Sequence, residues 1–193
     1  MSLFNNGFYQ TAVQTHSPNF EHRLDNAEIS LIVLHNISLP PFEYGSGCID
    51  KLFQNQLDKQ DDAFLQSIAH LRVSSHFLIE RNGLVKQFVS VNNMAYHAGV
   101  SCFRGQEKCN HFSVGIELEG CDFEPFTEPQ YDTLLILLKD LIQAYPTITA
   151  ICGHSDIAPN RKTDPGHFFE WQRLINAGLP VDRNGFGFAQ ISV

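Results

Sequence analysis

The sequence predicts an α/β fold: a single domain with a mixed β-sheet flanked by helices. Three observations carry this. Ile29–Leu34 (ISLIVL), Ser113–Leu118 (SVGIEL) and Ile148–Cys152 are short, largely apolar runs of the kind that form buried strands. Arg81-Asn82-Gly83 stands between the runs Ser75–Glu80 and Leu84–Ser90, and Asn-Gly between apolar runs signals a hairpin. Thr127, Glu128 and Pro129 open a helix that places Leu134, Leu138, Leu141 and Tyr145 along one face.

Taken in order, residues 1–26 are polar and mixed and read as an irregular arm packed on the domain. Residues 27–180 form the domain itself, and 181–193 a C-terminal tail. Leu39–Phe42 (LPPF) and Gly45–Gly47 (GSG) make a loop that borders whatever follows the first buried strand. Ile49–Gln56 reads as a short helix and Leu57–Phe64 as exposed loop. Asn92–Asn110 is a long irregular stretch, and loops of that length in a compact domain are often functional. A last helix over Phe168–Ala177 is closed by Gly178 and Pro180. No linker, repeat or low-complexity tract interrupts the chain.

A chain of 193 residues suits one domain with a sizeable core. Its net charge of −8 argues against nucleic acid or an anionic membrane surface as partner, since both select for Lys/Arg patches. A small anionic substrate needs only a local basic spot and stays open. The N-terminal residues lack the cationic start and apolar core of an export signal. No apolar run approaches the roughly 20 residues that span a bilayer. The five cysteines show no CxxC spacing, and unpaired thiols in a reducing cytoplasm are the simple reading. A cytoplasmic monomer is expected.

The chemistry gathers at strand ends. Gly153–Gly166 (GHSDIAPNRKTDPG) puts His154, Lys162 and Asp164 in one loop punctuated by prolines. Imidazole and carboxylate are zinc ligands, and a nearby ammonium can steady an oxyanion. The separation of His154 and Asp164 demands a loop that doubles back, and taken alone a polar surface turn fits it as well. His35-Asn36 follows the first buried strand, and Glu117 is embedded between Ile116 and Leu118, where a carboxylate is costly to bury without a partner or a task. A hydrolytic zinc site wants three protein ligands, an open position for water and a carboxylate to take that water's proton. His35, His154 and Asp164 can supply the ligands and Glu117 the base. By position alone Glu119, two residues on and on the same strand face, is an equal candidate for the base.

The segments LIVLHNISLPP (31–41), AHLRVSSHFLIERNG (69–83), AYHAGVSCFRG (95–105), CNHFSVGIELEG (109–120) and GHSDIAPNRKTDPG (153–166) closely resemble the AmpD-type N-acetylmuramyl-L-alanine amidases. These are cytoplasmic 1,6-anhydro-muropeptide amidases of Gram-negative bacteria. The resemblance runs from about Ser17 to Trp171. It implies a mixed sheet flanked by helices, shared with phage amidases and peptidoglycan-recognition proteins. It also implies zinc on His35, His154 and Asp164, catalysis by Glu117 and Lys162, and a small muropeptide as substrate in cell-wall recycling. Tyr96, Lys108 and His111 depart from the family's tryptophan, arginine and aspartate, which bears on substrate affinity rather than reaction type.

Each assignment has a plainer competitor. His76 is expected in the core, hydrogen-bonded to backbone. His97, in the long loop, is a candidate substrate contact, as are Asn36, Arg72 and Lys108, although a basic surface residue without a role is the commoner case. Lys162 beside Arg161 could be surface charge. Two other functions compete with recycling amidase: a non-catalytic peptidoglycan-recognition module, which needs no complete metal set, and an amidase acting on polymeric wall.

Overall fold

The computed structural model describes residues 3–24, 27–57 and 62–184. Its centre is a six-stranded mixed sheet: β1 (Val13–Gln14), β2 (Leu31–Ile37), β3 (Phe77–Ile79), β4 (Val85–Gln87), β5 (Ser113–Glu119) and β6 (Ala150–Gly153), in the order β6-β2-β5-β3-β4-β1. β3 and β4 form the expected antiparallel hairpin. The other neighbours pair in parallel. Five helices complete the fold: α1 (Cys48–Phe53), α2 (Ala63–Ile68), α3 (Glu128–Ala144), α4 (His154–Ile157) and α5 (Trp171–Asn176).

The register sorts side chains between two faces. Ile116 pairs with Leu34 and with Phe77, so these and their alternate neighbours Ile32, Val114, Leu118 and Ile79 share one face. They meet Tyr131, Leu134, Leu137, Leu138 and Leu141 of α3 in the largest apolar cluster. Each such side chain contributes roughly 1.5–3 kcal/mol on burial. Leu31 and Val33 point the other way, into a second cluster with Ala150, Cys152, Phe112 and Ile157. His35 continues that second row, so the face that buries Leu31 and Val33 delivers an imidazole at its end.

α3 is anchored by a capping box. Thr127 Oγ1 accepts from the Gln130 amide at 3.3 Å, and Gln130 Oε1 accepts from the Thr127 amide at 3.0 Å. The buried Gln130 amide group then donates to the carbonyls of Ile79 and Glu119, tying the helix start to the strand that carries the site.

Several boundaries differ from the sequence expectation. The arm is not irregular: Phe4–Asn5 pairs with Phe8–Tyr9, β1 joins the sheet edge, and Phe20–His22 pairs with Asn93–Ala95. Tyr9 is 4% exposed in the main core and donates to Asp140 at 2.5 Å. The stretch 92–110 likewise carries the strands Asn93–Ala95, Cys102–Phe103 and Gln106–Glu107. α2, capped by Asp62, takes up the end of the expected 57–64 loop, of which 58–61 lie outside the described residues. At the far end Val181 bridges to Ile151, so the expected tail begins by lining the sheet edge, while its residues 185–193 lie outside the described residues. No described helix is long and apolar enough to cross a membrane.

Candidate active site

β6, β2 and β5 run parallel and end on the same side of the sheet, where open α/β sheets place their ligands. β2 runs through Ile37 rather than stopping at Leu34, so His35 lies inside the strand, directly opposite Glu117 of β5. His154 follows β6 at once, as the first residue of α4. The Gly153–Gly166 segment therefore opens as a helical turn, not as a plain loop. It then doubles back, as its spacing required. The Ser155 amide donates to the Asp164 carbonyl at 2.9 Å, and the amides of Arg161 and Lys162 both donate to the Ala158 carbonyl at 3.0 Å. Thr163 Oγ1 donates to the Asp122 carboxylate, pinning the returning strand of the loop.

Three side chains converge. His35 Nδ1 lies 3.0 Å from His154 Nδ1 and 2.9 Å from Asp164 Oδ2, and His154 Nδ1 lies 3.0 Å from the same oxygen. The Asp164 side chain is 13% exposed and both histidines less than that. His154 Nε2 is 3.0 Å from the Ala98 carbonyl, which can only accept, so Nε2 carries the proton and Nδ1 a lone pair. That lone pair faces a carboxylate oxygen. Burial above all pushes His35 down to about 4, so it is neutral. Two bare imidazole nitrogens and an ionised carboxylate oxygen at such separations repel unless a cation lies between them. The donor set fits a metal ion, and tetrahedral zinc with bonds of about 2.0–2.1 Å would hold its ligands at comparable spacing.

Glu117 is the carboxyl on the neighbouring strand, opposite His35. It is 9% exposed, and among the described residues its Oε2 has no hydrogen-bond partner. Burial, then the Asp164 charge, raises its pKa well above the ordinary carboxylate value, against an opposing pull from Lys162. Glu119 is different. Its Oε1 accepts from the Gly45 amide at 2.6 Å and its Oε2 from the Arg81 amide at 3.2 Å. Both oxygens are spent on loop backbone, which leaves Glu117 as the carboxylate with capacity to spare.

These groups line a cavity of about 480 Å³ that also takes in Asn36, His97, Asp122, Arg161 and Lys162. Lys162 is exposed and borders the cavity beside Asp164. Asn36 Nδ2 donates to Asp122 Oδ1 at 2.7 Å, fixing the rim. His97 borders the cavity with both ring nitrogens engaged, one 3.0 Å from His35 Nε2 and the other 3.2 Å from Ser113 Oγ. His76 is fully buried, its Nδ1 accepting from the Gly115 amide at 3.0 Å, as the sequence suggested. Arg72 does not line this cavity, although Leu71 and Val73 do, and its guanidinium lies on the carbonyls of His70 and Leu71 at 3.3 Å. Lys108 lines a neighbouring cavity of about 550 Å³, which shares Arg161 with the first. The sequence reading missed Asp122 and gave Arg161 only surface charge. Arg161 in fact donates to the Ala98 and Val100 carbonyls at 2.7 Å, bracing the loop on which His154 leans. No local pattern marks either residue, since Arg161 acts on backbone and Asp122 on side chains that are distant in sequence.

Residues 25–167 match the Amidase_2 family model, N-acetylmuramoyl-L-alanine amidase. The 1,6-anhydro-N-acetylmuramyl-L-alanine amidase AmpD of Haemophilus influenzae is 48% identical over 166 residues, 85% of this chain and 90% of its own. A crystal structure of a selenomethionine AmpD derivative superposes with a TM-score of 0.88 at 45% identity, covering 91% of this chain and 98% of that one. The amidase AmiD of Escherichia coli, solved with the substrate anhydro-N-acetylmuramic acid-L-Ala-D-gamma-Glu-L-Lys, is similar at a TM-score of 0.56 and 30% identity, over 82% of this chain and 61% of that one. The chain belongs to the N-acetylmuramoyl-L-alanine amidase family and is an amidase of that class.

Proposed function

We propose that this amidase hydrolyses the amide between the lactyl group of 1,6-anhydro-N-acetylmuramic acid and L-alanine in small peptidoglycan fragments. The reaction would depend on zinc held by His35, His154 and Asp164, and would serve cell-wall recycling in the cytoplasm. The observation that carries the hydrolytic reading is Glu117, a buried carboxylate with an unpartnered oxygen beside three converging ligand atoms. The substrate reading is supported by the names of the AmpD relatives and by the muropeptide bound to AmiD. The five unpaired cysteines suit a reducing compartment.

Bound at this cluster, zinc supplies Lewis acidity and lowers the pKa of an adjacent water toward ~7. Glu117 accepts the water's proton through its unpartnered oxygen as the water attacks the scissile carbonyl. The same carboxyl then delivers a proton to the leaving L-alanine amine. Lys162, at the cavity rim, presents an ammonium to the oxygen that becomes negative in the tetrahedral state. Asn36, locked to Asp122, shapes the wall against which the muramyl group rests. Arg72 and Lys108 lie outside this cavity and would meet carboxylates of the stem peptide only where it extends beyond it, Lys108 by way of the adjoining cavity.

Incubation with anhydro-muropeptide and with polymeric peptidoglycan, followed by mass spectrometry, tests this. Free stem peptide and anhydro-muramyl sugar should appear from the small substrate, vanish with a strong chelator and return on adding Zn²⁺. Full activity in chelator, or cleavage of the polymer in preference to the fragment, would overturn the reading.

A further inference from the structure

A hydrogen-bonded chain runs inward from His35 and ends on backbone. Ser113 Oγ lies 2.6 Å from the Cys109 carbonyl oxygen, an atom that can only accept, so the hydroxyl proton is committed there. The Ser113 oxygen must then accept from His97 Nε2, 3.2 Å away, which places the His97 proton on that nitrogen. His97 Nδ1 is left with a lone pair, and it faces His35 Nε2 at 3.0 Å. His35 therefore carries its proton on Nε2 and turns a bare Nδ1 toward His154 and Asp164. Every donor in the sequence is set by the terminal carbonyl.

The protein makes room for this arrangement. Gly115 lies under the His97 ring, and a Cβ there would come within 2.4 Å of His97 Cγ. The rings of His35 and His97 meet edge to face, with centroids 5.1 Å apart at 85°. His76 Nδ1 accepts from the Gly115 amide, and its ring centroid lies 5.7 Å from that of His97.

We infer that His97, oriented by Ser113, is the positioning residue that fixes the ring and tautomer of His35 and so presets the cluster for its cation. The inference rests on the metal-site reading above. It assigns His97 to the support of a ligand rather than to the substrate. Partners of this kind typically govern metal affinity by 10–100-fold.

Two measurements test it. In the metal-free protein, ¹⁵N spectra should show His35 protonated at Nε2, with a coupling across the hydrogen bond to His97 Nδ1. A His35 proton on Nδ1, or no such coupling, overturns the inference whether or not zinc binds. Competition of Zn²⁺ against a chelator should then show a loss of about 10–100-fold for His97→Leu, which fills the space without an acceptor. His97→Asn, which keeps an acceptor near the Nδ1 position, should retain most of the affinity, and Ser113→Ala should lose less than His97→Leu. Equal zinc affinity in all four proteins, or a raised KM with unchanged zinc affinity, would overturn it. A wild-type protein that holds no zinc would instead sink the metal reading, leaving the ¹⁵N result to decide the hydrogen bond.

Discussion

Glu117 and His35 are Cα partners on adjacent parallel strands, so both side chains leave the sheet on the same face. Strands lie about 4.8 Å apart, and that spacing sets the separation of the two backbones. The base and the first ligand are thus held by the most rigid part of the fold. His154, one residue past the end of β6, extends the same row on the other side of β2. Only Asp164 and Lys162 depend on a loop.

Glu117→Gln should separate metal binding from turnover. The amide preserves shape but cannot take a proton, and no ligand atom is touched. Zinc content should stay near that of the wild type while kcat falls by about a hundredfold or more. Elemental analysis and steady-state kinetics on the same preparation decide it, and unchanged turnover would move the base role elsewhere.

The same residue should make the metal-free protein sensitive to pH. Burial raises the Glu117 pKa in the folded state above its unfolded value. The folded state therefore binds the proton more tightly, and the stability this group contributes is fully present below the unfolded pKa and lost as pH rises through the folded one. Glutamine cannot ionise. Urea titrations of metal-free wild type and Glu117→Gln should show the variant gaining relative stability from acid pH upward. A difference that does not change with pH would show that Glu117 ionises in the folded protein as readily as in the unfolded one.

Gly115→Ala should disturb more than one methyl group would suggest. The added carbon would meet the His97 ring far inside contact distance, and that ring is wedged between His35 and Ser113. Overpacking of this sort costs about 1–3 kcal/mol. Chemical denaturation should report that loss, accompanied by weaker zinc binding as His97 is displaced. A variant of wild-type stability and zinc affinity would show that the ring has room to move.

The strands that carry the site were legible because they are buried on both faces and read as unbroken apolar runs. Their ends were not. His35 reads as the residue after a strand, yet pairing with β5 carries β2 on to Ile37. The two- and three-residue strands of the N-terminal arm are too short to show alternation, and α2 buries none of its residues, so no apolar stripe marks it. The converging set His35, His154 and Asp164 could be assembled from strand ends and a doubling loop, with the family resemblance choosing Glu117 over Glu119. The sequence cannot show why that choice holds: the oxygens of Glu119 are occupied by the amides of Gly45 and Arg81, contacts that only the folded loops create. His97 was legible as a residue near the site, but its direction of hydrogen bonding depends on a serine and a carbonyl from another element.

Lys162 sets local structure and chemistry against each other. It is exposed, and its backbone amide, not its side chain, holds the loop to Ala158. If it is only surface charge, Lys162→Ala should leave both rate and zinc content unchanged, as exposed substitutions usually do. It also lines the cavity that holds Asp164 and Glu117, where a tetrahedral oxyanion would form. On that reading Lys162→Ala should lower kcat by about a hundredfold, with zinc retained and KM little changed, because the contact is made mainly in the transition state. Lys162→Arg should restore only part of the rate, since a planar guanidinium fills a different volume. Stopped-time product assays across the three proteins, each with its zinc content measured, separate the two outcomes, and a wild-type rate for Lys162→Ala would remove this residue from the mechanism.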